Sequence, residues 1–202
     1  MKIMKCVLSV LFSVMLFCSC GGGNTAAVEG LTGKVTMDGY EGRYVYLETT
    51  VGGSMKVDSA VVTKGKFALT FNDSVPQVYR LVLSASDSDK YPITLPVVSE
   101  KGAVKVSLGE LVLTSGSPLN DELQDFLLAV SNFTDKAMKQ EKLDLQQVKD
   151  DFAKLVEGAV MKNIATPVGV YIYRTYGGKL SSEQKEAIIA RGTEGFRMAV
   201  NQ

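Results

Sequence analysis

Ser182 and Lys185 have the spacing in this chain that most suggests catalysis. A lysine one helical turn after a serine can take the hydroxyl proton and make the serine a nucleophile. The alternative is structural, because the surrounding sequence predicts the exposed first turn of a helix, where serine and glutamate serve as caps and favourable charges. We favour the structural interpretation and predict no catalytic residue.

An acidic loop offers the next candidate chemistry. Asp87 and Asp89, together with Glu100, could give carboxylate oxygens to Ca²⁺. The run lacks the continuation of an EF-hand loop, however, and is ordinary for a solvated turn. We predict no metal site and no cofactor. No pair of acids at strand ends suggests the two carboxylates of a glycoside hydrolase either.

A set of tyrosines is the main candidate for ligand or partner contact. Tyrosine has an apolar face and a polar tip, so it can stack on a sugar or a peptide. At strand and helix spacing it can equally be half-buried packing. The residues are Tyr44, Tyr46, Tyr171, Tyr173 and Tyr176.

Two serines match a modification pattern. Their three-residue contexts resemble the acceptor of periplasmic O-glycosylation in some Gram-negative bacteria: Asp58-Ser59-Ala60 and Asp73-Ser74-Val75. Ser74 comes shortly before Pro76, so it should lie on an exposed turn. Ser59 lies in a predicted strand and is the weaker candidate. Chance matching and ordinary turn chemistry are the alternative.

Two residue types that enzymes use most are missing from the part of the chain predicted to fold. The sequence has no histidine, and its three cysteines are Cys6, Cys18 and Cys20. A Ser-His-Asp or zinc-water enzyme therefore cannot be built from these residues. Disulfides and thiolate catalysis are excluded from the region after Cys20.

The first twenty residues predict a targeting signal. Lys2 and Lys5 precede an apolar run of about a dozen residues, which is typical of a secretory leader and too short to span a membrane. Leu16-Phe17-Cys18-Ser19-Cys20 resembles the bacterial lipobox, so we predict a leader over 1–19 and a lipid on the thiol of Cys20. An ordinary cleaved leader is the alternative. A flexible, glycine-rich tether over 20–30 follows.

The predicted mature chain has 183 of the 202 residues, enough for one sizeable domain or two small ones. Losing Lys2 and Lys5 leaves 20 basic against 22 acidic side chains, a net charge of −2. Such a balance gives no electrostatic footprint for nucleic acid. We therefore expect no nucleic-acid partner.

Residues 31–113 have the alternation of short strands. Phe67, Leu69 and Phe71 alternate with polar or small residues, which indicates one buried and one solvated face. Lys64-Gly65 has the form of a two-residue hairpin turn. About seven or eight such segments, separated by turn residues, predict an antiparallel β-sandwich.

Residues 118–202 change to a period of about 3.6 and predict a helical region. Ser117-Pro118 is typical of a helix start. Asp144 with Gln147, and Ser181 with Gln184, resemble capping boxes that open two further helices. The fold class is therefore α+β, a β-sandwich followed by helices.

Several segments in order resemble an uncharacterised domain of Gram-negative envelope lipoproteins. That domain usually precedes a thioredoxin-like thiol:disulfide oxidoreductase or peroxiredoxin-like module. The resemblance rests on Leu31-Thr32-Gly33-Lys34-Val35, Tyr44-Val45-Tyr46-Leu47, Val57-Asp58-Ser59-Ala60-Val61-Val62, Gly65-Lys66-Phe67 and Ser115-Gly116-Ser117-Pro118-Leu119-Asn120. The helices to about Arg191 resemble the linker of that family. Because the chain has no Cys-x-x-Cys, the resemblance implies no redox catalytic residue.

We expect a non-catalytic lipoprotein that binds or scaffolds a protein or glycan partner of the cell envelope. The alternative is an accessory to envelope redox proteins, which binds a separate thioredoxin-like partner through the helices. We expect anchorage through Cys20 in the outer membrane, facing the periplasm, because no acidic pair follows Cys20.

Overall fold

The computed structural model describes residues 30–49, 55–86, 88–140, 142 and 144–201. The predictions for the leader, for Cys20, for the tether before Gly30 and for Asp87 lie outside these residues. No helix in the described part of the chain is long and apolar enough to cross a membrane.

In the described residues, eight strands form two four-stranded sheets. Sheet A has the order β4-β1-β7-β8 and sheet B the order β3-β2-β5-β6. The strands are β1 (Gly30–Val35), β2 (Tyr44–Thr49), β3 (Met55–Val61), β4 (Lys66–Thr70), β5 (Val78–Leu83), β6 (Ile93–Val98), β7 (Ala103–Leu108) and β8 (Val112–Ser115). Together with the helices that follow, they confirm the predicted α+β class with a sandwich-like N-terminal part.

One strand pair departs from the antiparallel expectation. β1 and β7 run parallel, with Leu31 opposite Val104 and Val35 opposite Leu108. All other ladders between the described strands are antiparallel. Alternation along a strand fixes which side chains face the core, but not the neighbour or its direction. The parallel pairing could therefore not be predicted from the pattern.

The sandwich core lies between the two sheets. Leu31, Leu83, Val97, Val104 and Leu108 are completely buried there. Phe67 fills the space over Gly33, where a Cβ atom would lie only 1.9 Å from the Phe67 ring. The predicted inward face of β4, with Phe67 and Leu69, is buried as expected.

In the part of the chain that the structure describes, five α-helices and one short 3₁₀ turn follow the sandwich. Their bounds are α1 (Pro118–Met138), α2 (Leu145–Lys162), α3 (Pro167–Tyr176), the 3₁₀ turn (Gly177–Lys179), α4 (Ser182–Arg191) and α5 (Glu194–Val200). A second cluster of buried apolar residues lies among them, and it includes Val98 of β6.

The helix caps follow the sequence in part. Ser181 and Gln184 form the predicted capping box of α4. Asp144 caps α2 by accepting the N–H groups of Gln146 and Gln147, but the Gln147 side chain donates to Asp151 instead of closing a box.

The start of α1 is capped from the sandwich. Ser117 makes no side-chain cap. Glu100, in the turn after β6, accepts the Leu119 N–H at 2.8 Å in its place. A carboxylate near a helix N-terminus is favourable both as a hydrogen-bond acceptor and as a charge.

Two buried amides attach α1 to both sheets. The Asn120 side chain accepts the Val98 N–H and donates to the Val98 carbonyl, both at 2.9 Å. One turn later, Gln124 Oε1 accepts the Thr114 N–H at 2.7 Å. Val98 and Thr114 lie on β6 and β8, the last strands of sheets B and A. α1 therefore closes one side of the sandwich and satisfies edge groups that strands leave open.

Candidate functional site

The far end of the helical region is open. α3 is only 10 residues long, while α1 has 21 and α2 has 18. At the end of α3, the ring of Tyr176 packs edge-on against two other rings. Its centroid lies 5.1 Å from that of Phe126 on α1 and 6.2 Å from that of Phe152 on α2. Beyond Tyr176 the chain turns away through Gly177 and Gly178. Among the described residues, no third helix covers the last turns of α1 and the first turns of α2 where they line this cavity.

A cavity of about 600 Å³ occupies the place that α3 leaves. We call it the α1–α2 groove, and define it by Phe133, Ala137, Met138, Val148, Phe152 and Lys179. The rings of Phe133 and Phe152 lie 5.3 Å apart and form its floor. Met138 on its rim is 80 % exposed, and Leu145 at the nearby start of α2 is 63 % exposed.

Charge differs between the two sides of these helices. Among the described residues that line the groove, Lys149 and Lys179 are cationic and none is acidic. A smaller cavity of about 320 Å³ shares Phe133, Ala137 and Val148 but also carries Asp144 and Asp151. Both of those carboxylates accept hydrogen bonds, from α2 backbone and from Gln147. The groove therefore combines an apolar floor with a positive rim.

Three of the five predicted contact tyrosines belong to the helical core. Tyr171, Tyr173 and Tyr176 are half-buried against it, and Tyr173 packs edge-on against Phe196 at 5.7 Å. Burial raises the pKa of Tyr171 and of Tyr176. These rings support the helices, and Tyr176 forms the end of the packed region from which the groove continues.

The other two tyrosines lie on β2, on the outside of sheet B. Tyr44 and Tyr46 stack with centroids 5.9 Å apart. Lys56 from β3 places its ammonium 3.4 Å from the centre of the Tyr46 ring, a cation–π contact. One face of Tyr46 is therefore occupied, and the five tyrosines form two separate sets rather than one platform.

Both candidate glycosylation serines are exposed. Ser74 lies on a bend after β4, as the sequence predicts, and Ser59 lies in β3. Neighbouring Asp73 accepts a 2.8 Å hydrogen bond from the Tyr79 hydroxyl, and burial together with this bond raises the pKa of Tyr79 to about 12. Glycosylation remains a prediction. A Ser74→Ala variant should lose any sugar mass in an intact-protein mass spectrum, and a wild-type mass equal to peptide plus lipid would refute the modification.

The candidate metal and catalytic groups have structural partners. Asp89 accepts the N–H groups of Ala85 and Tyr91, which lowers the pKa of its carboxyl. Glu100 caps α1. Within the described residues no group of three acidic, histidine or cysteine side chains could hold a metal ion.

The serine and lysine of the catalytic-looking pattern lie at the start of a helix. Ser182 is the first residue of α4, in an exposed turn, directly after the capping Ser181. This position agrees with the structural interpretation of the Ser182 and Lys185 spacing.

Residues 30–123 match a family model described as Domain of unknown function (DUF4369). No curated protein matches the chain. The matched region is less than half of the 202 residues, and it contains the eight strands and the first turn of α1 with Asn120. The α1–α2 groove lies outside the DUF4369 region.

The groove itself was missed by sequence reasoning. The apolar stripe of α1 was visible, but a stripe shows only which side chains avoid water, not whether a neighbour covers them. The available signal was a mismatch of length, since the apolar stripe of α1 continues to Phe133 while the third helix spans only 10 residues.

Proposed function

We propose that this chain is a non-catalytic docking protein of the cell envelope, which holds a partner protein in the α1–α2 groove. The observation that supports it is the half-buried apolar floor between α1 and α2, with Met138 exposed on its rim, beside a packed third helix. Exposed apolar surface rimmed by polar residues often marks a site that binds a partner.

The chemistry of the groove favours a protein over a glycan. Sugars are bound by free aromatic faces, yet the Tyr46 face carries Lys56 and the rings of Phe133 and Phe152 lean on each other. An aliphatic and aromatic floor with charged rims instead resembles the anatomy of a protein interface.

Anchorage to the membrane is the second part of the proposal. The basic start, the apolar run and the residues before Cys20 support a lipid on that thiol, with the folded part on the periplasmic face of the outer membrane. A Cys20→Ser variant should leave the detergent-extracted membrane fraction and should no longer incorporate a labelled fatty acid. Unchanged labelling of that variant would refute the anchor.

Site-specific cross-linking in cells tests the docking function. A photo-reactive phenylalanine is placed at Met138 on the rim of the groove, and at Asn132, which is exposed on the same helix but does not line the groove. We expect a protein adduct from position 138 and little from position 132. Equal adducts from both positions, or none from 138, would remove the groove from the function.

A redox accessory role is the second candidate, since it uses the same surface. The groove lies on the helices through which such a protein would meet a thioredoxin-like partner. Mass spectrometry of the position-138 adduct separates the two candidates. A Cys-x-x-Cys protein would favour the redox role, and a partner without cysteines would exclude it.

A further inference from the structure

The groove continues the path of a helix that is already bound. α3 packs beside α2, and its last aromatic residue, Tyr176, contacts both Phe126 and Phe152. Phe152 also lines the groove, together with Gly178 and Lys179 from the turn that ends α3. The same two helices thus present one continuous seat, of which α3 fills the first part.

We propose that the unfilled part binds an acidic amphipathic α-helix of a partner protein, in line with α3; this inference depends on the docking function proposed above. The occupant would complete a three-helix arrangement with α1 and α2. A helix laid into an apolar groove is one of the common modes of peptide recognition.

The apolar floor extends over about one turn of helix. Phe133 and Ala137 are four residues apart on α1, and Val148 and Phe152 are four apart on α2. Each pair covers about 6 Å along its helix, at 1.5 Å per residue. A partner helix would place apolar residues spaced i, i+3 and i+4 between these two pairs, with the residue at i+7 one turn beyond them.

The rim defines the charge of the partner. Lys149 stands on α2 and Lys179 follows α3, both are exposed, and no described acidic residue lines the groove between them. Glutamate or aspartate beside the apolar stripe of the partner would meet opposite charge, whereas lysine or arginine there would be repelled.

An anionic acyl chain is the competing occupant, because it also joins an apolar body to a negative group. The structure favours a helix, since α3 already occupies the adjoining part of the same seat with helical geometry. The experiment below therefore includes a fatty acid as a separate probe.

Binding of three probes to the full mature chain tests the proposal. The probes are a stapled amphipathic peptide with leucines at i, i+3, i+4 and i+7 flanked by glutamates, the same peptide with lysines for the glutamates, and palmitic acid. Fluorescence anisotropy should show saturable binding of the acidic peptide, about tenfold or more tighter than the basic peptide at low ionic strength. Photo-labelling by the acidic peptide should map to the groove.

Charge reversal gives the matched control. The double variant Lys149→Glu with Lys179→Glu should invert the preference between the two peptides. The double variant Lys34→Glu with Lys105→Glu changes the net charge equally on exposed positions of β1 and β7, and should retain the preference for the acidic peptide. All four substituted side chains are exposed, so folding should be unaffected.

Several results would overturn the inference. They are equal binding of the two peptides, no saturable binding of either, an unchanged preference in the Lys149 and Lys179 variant, and groove labelling by palmitic acid alone. A protein cross-link from Met138 combined with any of these would leave the docking function standing with a partner of other chemistry. Loss of that cross-link in cells would remove the docking function itself.

Discussion

Asn120 should be the side chain whose loss most clearly separates the helical region from the sandwich. Its amide is fully buried and makes two 2.9 Å hydrogen bonds to the backbone of Val98 and a third to Ser117 Oγ. Val98 is also fully buried, so Asn120→Ala would leave its N–H group without a partner and without water, whereas its carbonyl would keep the Glu100 N–H at 3.0 Å.

The size of the effect follows from the unsatisfied Val98 N–H. A buried backbone group left unsatisfied costs about 1–3 kcal/mol, so Asn120→Ala should lower the free energy of unfolding by roughly 1–3 kcal/mol. Asn132 lies exposed on the same helix, and Asn132→Ala should change stability by no more than about 0.5 kcal/mol.

Urea unfolding of the purified proteins measures the free energy of unfolding of both variants. Amide hydrogen exchange measures the local protection of the Val98 N–H. The Val98 amide should exchange much faster in Asn120→Ala and at the normal rate in Asn132→Ala. If the two variants have equal stability, or if Val98 stays protected in Asn120→Ala, the view of Asn120 as the attachment point is refuted.

Three further predictions concern the sandwich. Gly33→Ala would place a Cβ atom 1.9 Å from the Phe67 ring, so the melting temperature should fall and the free energy of unfolding should drop by about 1–3 kcal/mol. Combining it with Phe67→Leu should restore part of that stability. Additive effects of the two substitutions would contradict the clash. Lys64 has a φ of 52° in the hairpin turn before Gly65, a conformation that asparagine adopts more easily than lysine. Lys64→Asn should therefore raise the free energy of unfolding in urea by about 0.5–1 kcal/mol. A loss of stability would mean that this φ is not strained. Burial and the hydrogen bond to Asp73 raise the pKa of Tyr79 from 10.0 to about 12, so folding favours the neutral phenol. The stability that this gives is complete below pH 10.0 and is lost between pH 10.0 and about 12. Tyr79→Phe should make the free energy of unfolding less dependent on pH in that window. An unchanged slope against pH would exclude Tyr79 as the source of the dependence.

The strands of the sandwich were predictable because the signals for them are local in the sequence. A residue such as Phe67 alternates with solvated neighbours, and a turn such as Lys64-Gly65 needs positive φ, which glycine supplies without cost. The capping box at Ser181 is equally local, and the structure contains it. All of these signals lie within a few residues of one another.

Features that depend on distant partners could not be predicted in this way. The parallel pairing of Leu31 with Val104 joins positions 73 residues apart, and the pattern of either strand would suit an antiparallel neighbour as well. Asn120 reads as a polar residue at the start of an amphipathic helix, and its burial against Val98 follows only from the packing of α1 on β6.

The attachment of α1 has a mechanical consequence. At 1.5 Å per residue its 21 residues make a beam of about 32 Å. One end is clamped at two points, by Asn120 to one sheet and by Gln124 to the other. The opposite end carries Met138 and half of the groove floor. Because Phe126 and Phe133 along the helix also pack on Tyr176 and Phe152, a partner bound at the groove would act on β6 and β8 through the packed helices together and not through α1 alone.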